Sequence, residues 1–445
     1  MDRLTAARAQ MEVSLGFHMV FAALGIGMPL LMIIAEGMWL KTKQPFYREL
    51  ARKWGKVTAL LFAIGAVSGT ALSFELGLLW PRFMALAGGA IGPAFALEGY
   101  AFFIEAIFVG LYLYGWDRLS PRAHWLTGVP VAVSGMLSGV LVVAANAWMQ
   151  TPVGVRIEDA KLVDARAMAA FESPMWPLMS IHSTLSCYIA VGYAVAGVYA
   201  LGVLRGKRDE YHRKAIDIGL GVAAVAAALQ LVSGHASAQA VAEHEPVKLA
   251  AMEAHFVTSR GVAIVVGGIP DDDTGEVKWG LRIPKALSLL ATNDPNAELL
   301  GLDAFPKDER PNVLVTHLAF DTMVGCGFTL IGVGALFWLW RWRRPGAFEP
   351  KSLARLLVAA SPLGFVALEA GWVVTEVGRQ PWIVRGVMRT RDAVTPVATV
   401  TASFFAFTAL YVLLAIVLVL LLRYLAAGKP LRRVDASEDE AEHAA

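Results

Sequence analysis

The chain has 445 residues, of which 56% are hydrophobic and only 17% charged, with a formal net charge of +2 and a mean hydropathy of +0.54. Soluble domains carry about 25% charged residues, so this composition excludes an ordinary soluble enzyme and gives nucleic-acid binding no support. Repeated apolar runs near membrane-spanning length predict an all-α polytopic membrane protein.

In chain order, apolar helices are expected at roughly 12–39, 57–79, 94–116, 125–148, 177–204, 215–234, 315–340, 354–376 and 402–425, about nine spans in all. The first begins after a weakly basic start and is too long for the apolar core of a cleavable signal. The organisation expected is six transmembrane helices in 1–234, one long outer loop at 235–314, three further helices in 315–425 and a cytoplasmic tail at 426–445. Basic residues cluster between spans one and two (Lys41, Lys43, Arg48, Arg52, Lys53, Lys56) and between five and six (Arg205, Lys207, Arg208, Arg213, Lys214). They recur between seven and eight (Arg341, Arg343, Arg344, Lys351, Arg355) and after span nine (Arg423, Lys429, Arg432, Arg433). By the positive-inside rule these loops are cytoplasmic, which leaves the N-terminus outside and the C-terminus inside. The loop 235–314 is acidic, with Asp271-Asp272-Asp273, and Lys248 to His255 within it reads as a short amphipathic helix. Arg379, Arg385, Arg389 and Arg391 break the charge rule on the outer side, and carboxylates are natural guests for such arginines. Cys187 and Cys326 lie within apolar runs and read as packing residues.

Ionisable side chains at hydrocarbon depth are costly and mark functional sites. His18 lies in span one, His182 near the outer end of span five, Met323 near the outer end of span seven, and Glu376 closes span eight. Span direction puts all four in the outer third of the membrane. A histidine with a methionine is an axial pair that suits low-spin, electron-transfer haem, and a ligand with an open sixth position suits oxygen chemistry. His317 competes as a ligand but falls at the water boundary. In span three Glu98 and Glu105 are seven residues apart, about two turns and roughly 10 Å along one face, a spacing that suits carrying protons inward or balancing the charge of a buried haem, the alternative being structural pairing with a neighbouring helix; Glu75 in span two is a third such acid. Asn146, Trp148 and Gln150 read as interfacial anchors. Lys248 and Glu253 on one short helix read by themselves as a solvated ion pair, and alternatively as the donor and the proton acceptor that a quinol headgroup needs.

The run GWVVTEVGRQPW, from Gly371 to Trp382, together with GFH around His18, ALEGYAFFIEAIFVGLYLYGWDRL from Ala96, NAWMQTP from Asn146, IHSTLSCY around His182, VKLAAMEA from Val247, GGIPDDDTGEVKWGLRIPKAL from Gly267 and MVGCGF from Met323, resembles subunit I of the cytochrome bd quinol oxidases over essentially the whole chain. The resemblance implies that His182 and Met323 are the axial ligands of a low-spin haem b. It implies that His18 and Glu376 ligate two high-spin haems, a second haem b and a haem d or a further haem b in its place, and leaves open which serves oxygen. It makes Lys248 and Glu253 the quinol-binding pair, Glu98 and Glu105 part of a proton path, and Trp372 and Arg379 supports of the haem pair. The loop 235–314 corresponds to a short quinol-binding loop. Four positions depart from the family pattern: the seven-residue spacing of Glu98 and Glu105, Ser73-Phe74-Glu75-Leu76-Gly77 in span two, Ala106 in place of a serine, and Asp321 in place of an arginine.

The function expected is that of a haem-bearing subunit of a terminal quinol:oxygen oxidoreductase in the bacterial cytoplasmic (inner) membrane. Quinol is oxidised at the outer face, and oxygen is reduced to water with cytoplasmic protons. A second membrane subunit, subunit II of the oxidase, is the implied partner. The alternative from another class is a secondary transporter coupled through Glu75, Glu98, Glu105 and Glu376, which gives no reason for histidine and methionine at matched depth.

Overall fold

Apolar side chains recur without a polar face through most of this chain, and in lipid such a segment must satisfy its backbone internally as a helix. The computed structural model describes residues 1–158 and 161–426; the expected cytoplasmic tail lies outside the described residues from 427 onward. Among the described residues nine segments are helical, long and apolar enough to cross a membrane. They are α1 (Arg3–Thr42), α2 (Pro45–Leu79), α3 (Pro81–Gly115), α4 (Pro121–Gln150), α5 (Trp176–Leu204) and α6 (Glu210–His244). After α7 (Pro246–Met252) and α8 (Ala286–Thr292) come α9 (Val313–Arg343), the pair α10 (Lys351–Ala360) and α11 (Leu363–Val377), the single turn α12 (Thr390–Ala393) and α13 (Val400–Ala426).

The helices outrun their apolar cores. Residues 81–93, expected as a connection, are helical, and Trp80 is the lone non-helical residue between α2 and α3. The reason is local: Pro81 takes the first helical position, where its missing N–H costs nothing. The sixth helix likewise continues past 234 to His244. The eighth span is broken at Ser361-Pro362, where proline cannot donate to the preceding turn.

Helices in lipid gain little from apolar burial and pack through small residues instead. At the crossing of α5 and α6, a methyl group on Gly192 would lie 2.5 Å from the Gly219 carbonyl oxygen, and one on Gly219 would lie 2.7 Å from that of Gly192. The two backbones touch because neither residue has a side chain.

Between α6 and α9 the segment 245–312 forms a cap. Antiparallel pairs join 259–260 to 298–299, 264–266 to 281–283 and 269–271 to 276–278. A small core of Leu249, Val262, Leu287, Ala291 and Leu299 holds it together, and α7 packs on α6 and α9. The cap meets the ends of α6, α9 and the segment after α11, so it lies at the bundle end where α4 and α11 finish and α5 and α9 begin. Replacing Gly192 by leucine would drive a branched side chain into the α6 backbone. Overpacking costs about 1–3 kcal/mol or more, so Gly192→Leu is expected to lower the thermal midpoint of the purified protein in detergent, read by tryptophan fluorescence, whereas Gly99→Ala, which meets nothing within 4 Å, leaves it in place.

Candidate haem and quinol site

Each candidate ligand stands on a different helix. His18 on α1 faces α2, where its Nδ1 lies 3.0 Å from Ser68 Oγ. Ser68 Oγ donates its one hydrogen to the Gly65 carbonyl at 3.1 Å, so it accepts from His18 Nδ1–H, and Nε2 keeps its lone pair. His182 on α5 repeats the arrangement against α6. Its Nδ1 is 3.1 Å from Ser233 Oγ, and Ser233 donates to the Gln230 carbonyl at 3.2 Å. The Gln230 amide nitrogen, a donor only, lies 2.9 Å from His182 Nε2, which again makes Nε2 the acceptor. A glycine follows each serine, and the imidazole edge rests over it: a methyl group would come within 2.9 Å of the His18 ring at Gly69 and within 3.6 Å of the His182 ring at Gly234. Both seats are written Val-Ser-Gly, at 67–69 and 232–234.

Met323 on α9 lies over α11, where a methyl group on Gly371 would sit 3.0 Å from its sulfur. Glu376, in the last turn of α11, accepts from Asn146 through Oε1 and from Arg379 through Oε2. Trp372, one turn earlier, packs against the buried cluster of Ala23, Ile26, Cys187 and Leu368 that α1, α5 and α11 share. Arg379 is 3% exposed, and its Nε and Nη1 are buried without a partner.

These features fit haem. Two imidazoles with their tautomers selected, a thioether and a carboxylate are haem-ligand chemistry, and a ligating histidine ordinarily donates its other ring N–H to a second group. The orphaned Arg379 donors suit a propionate. Among the described residues no three His, Cys, Asp or Glu side chains gather as a bare metal ion would require; an iron bringing four porphyrin nitrogens needs only one or two.

The acids take separate places. Glu98 accepts from Ser138 Oγ on α4 at 3.0 Å, and Glu105, 5% exposed, lies beside Gly135 on the same helix. Seven-residue spacing thus keeps both on the α3–α4 seam. Glu75 is fully buried beside Ser14 and Gln10. Glu369 was missed by the sequence reading. Its Oε2 would lie 3.5 Å from a methyl group on Gly16 and its Oε1 is buried without a partner. The signal was present, since Glu369 is an in-helix acid seven residues before Glu376.

Lys248 and Glu253 diverge. Lys248 pairs with Glu245 and donates to Gln150 Oε1 at 2.6 Å; burial lowers its pKa to about 8. Glu253, 3% exposed, is pushed up to about 8 by burial and then by Asp321. His317 is not at the water boundary. It is fully buried, with Nδ1 2.7 Å from the Met252 carbonyl and Nε2 3.3 Å from that of Gly267, so its ring is seated within the cap. Asp321 accepts from Gly267 N–H at 2.6 Å, pinning the same turn. The basic cluster is largely spent on protein carboxylates: Arg385 on Glu245 at 3.3 Å and Arg389 on Asp308 at 2.7 Å.

The family profile described as cytochrome bd terminal oxidase subunit I matches residues 6–430. The putative cytochrome bd menaquinol oxidase subunit I of Bacillus subtilis (strain 168) is 36% identical over 428 residues, covering 95% of this chain and 96% of that protein. The cytochrome bd-II ubiquinol oxidase subunit 1 of Escherichia coli (strain K12) is 27% identical over 476 residues, covering 91% of this chain and 92% of that one. The solved bd oxidase from Geobacillus thermodenitrificans superposes with a TM-score of 0.91 at 37% identity, over 96% of this chain and 99% of that chain.

Loss of the group that orients a metal-bound histidine typically costs 10–100-fold in affinity. Ser233→Ala is therefore expected to reduce haem retention by about 10-fold or more at limiting haem, measured as pyridine haemochrome per protein. Ser233→Thr, which keeps the hydroxyl, should restore it; equal retention in all three would reduce Ser233 to a packing residue.

Proposed function

This chain belongs to the cytochrome bd terminal oxidase subunit I family, a family of haem-bearing, multi-pass membrane oxidoreductases of the respiratory chain, and on that premise we propose how its residues divide the work of a terminal quinol oxidase. What supports the reading is that His18 and His182 are each seated on a serine of the next helix, that Met323 lies over Gly371 of the helix carrying Glu376, and that the cap holding Lys248 and Glu253 packs on α6 and α9. Membership in an oxidase family displaces the transporter alternative.

His182 and Met323 would hold a low-spin haem b. His18 and Glu376 would hold the two high-spin haems, a second haem b and a haem d or a further haem b. Bound there, the haems supply the electron carriers and the iron at which oxygen is reduced to water. Trp372 packs on the cluster shared by α1, α5 and α11, and Arg379 fixes Glu376 while offering its two free donors to a propionate. Quinol binds at the cap, where Lys248 orients the headgroup and Glu253 takes a hydroxyl proton; the two side chains approach it from different sides of α7. The basic residues at the opposite helix ends put the capped end outside and the C-terminus in the cytoplasm. Quinol protons then leave outward, while Glu98 and Glu105 hold protons drawn from the cytoplasm along the α3–α4 seam. Relatives of this chain are named as subunits, and subunit II is the partner inferred here.

Two measurements test this. In a dithionite-reduced minus oxidised spectrum of the complex, His182→Ala is expected to remove the low-spin haem signal and leave the high-spin bands; an unchanged spectrum would sink the assignment. The second is a pH profile. Glu253 ionises as pH rises through about 8, so its proton-accepting form is lost below that value, whereas Lys248 loses its charge above about 8. Quinol kcat/KM should rise with pH towards 8 and fall beyond it, and Glu253→Gln should abolish the rising limb; a limb that survives would exclude Glu253 as the acceptor.

A further inference from the structure

Four side chains run without a gap from the cap to Glu376. Lys248 Nζ donates to Gln150 Oε1 at 2.6 Å. The Gln150 amide nitrogen donates to Asn146 Oδ1 at 3.3 Å and to the Thr375 carbonyl at 3.1 Å. The Asn146 amide nitrogen donates to Glu376 Oε1, and Arg379 holds the other oxygen. Gln150 is fully buried and Lys248 nearly so. Asn146 and Gln150 stand four residues apart on the last turn of α4, so they lie one above the other.

The direction of this chain is fixed by its ends. A lysine ammonium only donates and a carboxylate only accepts, so both amides must point their nitrogens towards Glu376. A run of aligned hydrogen bonds is cooperative, each donor strengthened by the one behind it. Amides do not pass protons readily, so this chain transmits position and polarisation rather than a proton. Lys248 is itself held by Glu245, which also accepts from Arg385, so the charge at the cap end belongs to that buried triad.

We propose that Gln150 and Asn146 are positioning residues forming an amide relay, by which the charge held at Lys248 sets the orientation and donor strength of Glu376. The relay rests on the assignments above of Lys248 to quinol and Glu376 to a high-spin haem. It gives quinol occupancy at the cap a bonded route to one of the two high-spin haems, through side chains that touch neither quinol nor iron.

The test is a mutant cycle on the complete oxidase, reading the midpoint potentials of the high-spin haems by spectroelectrochemical titration. Lys248→Met and Gln150→Leu are each expected to shift the potential of the Glu376-associated haem in the same sense, and the double variant to shift it no further than the larger single one. Additive shifts, or none, would overturn the relay. Gln150→Glu keeps the pair with Lys248 but loses both amide donors, so it should shift the potential as Gln150→Leu does, with quinol KM unchanged; a wild-type potential would mean that Gln150 merely anchors Lys248. This variant also carries the test should Gln150→Leu fail to assemble. Glu376→Ala with a full haem complement by pyridine haemochrome would overturn the ligand assignment itself, a result separable because it needs no potential.

Discussion

Everything at the capped end of the bundle depends on holding the Glu376 carboxylate still at the end of its helix. Translocon-type scales put an aspartate or a basic side chain at mid-helix at about 2.5–3.5 kcal/mol, and an unpartnered charge in a dry interior costs more. Glu376 meets that cost with two donors, Asn146 and Arg379, brought by the end of α4 and by the residues just after α11. The end of α4 must therefore be helical to Gln150, and the segment after α11 must fold back on the bundle. The cap in turn needs a seat, which Lys248, Glu245 and Arg385 provide as one buried cluster. Removing the carboxylate would leave an arginine and an amide without a purpose at the foot of the cap.

The histidines follow a different economy. An imidazole is neutral and cheap to bury, so what must be controlled is not its charge but which nitrogen carries the proton. Val-Ser-Gly on the next helix does this twice, with serine as acceptor and glycine as the floor beneath the ring. The repeat joins helices with no other relation in sequence, and it shows how small a set of residues suffices once a neighbouring helix supplies the geometry.

The nine spans were legible because composition and length decide them. What escaped depended on angle rather than depth. Ser68 and Ser233 look like ordinary small residues until the helix they face is known. Asn146 and Gln150 read as interfacial anchors because nothing in the sequence says that Lys248 and Glu376 lie at either end of them. Lys248 and Glu253 looked like a pair by proximity, yet five residues on a helix turn the second well away from the first, and the structure sends one to α4 and the other towards α9. His317 was placed at the water boundary because its span begins there; the cap folding over that boundary buries it. Glu369 was overlooked although its spacing to Glu376 matches that of Glu98 to Glu105.

The break at Ser361-Pro362 makes α11 a helix of its own, and Glu376 sits at its final turn with no basic residue in that turn. The peptide dipoles of a helix sum to roughly half a negative unit charge at this end, so the carboxylate is held against a pole of its own sign. Arg379, placed just beyond the last turn, answers part of that field and leaves the rest uncompensated. A cationic guest arriving at Glu376 is therefore drawn by the backbone as well as by the side chain, and the pull is strongest for the more highly charged oxidation state of any metal it carries. The same short helix that positions Glu376 thus adds a field of its own, through main-chain atoms that no side-chain substitution removes.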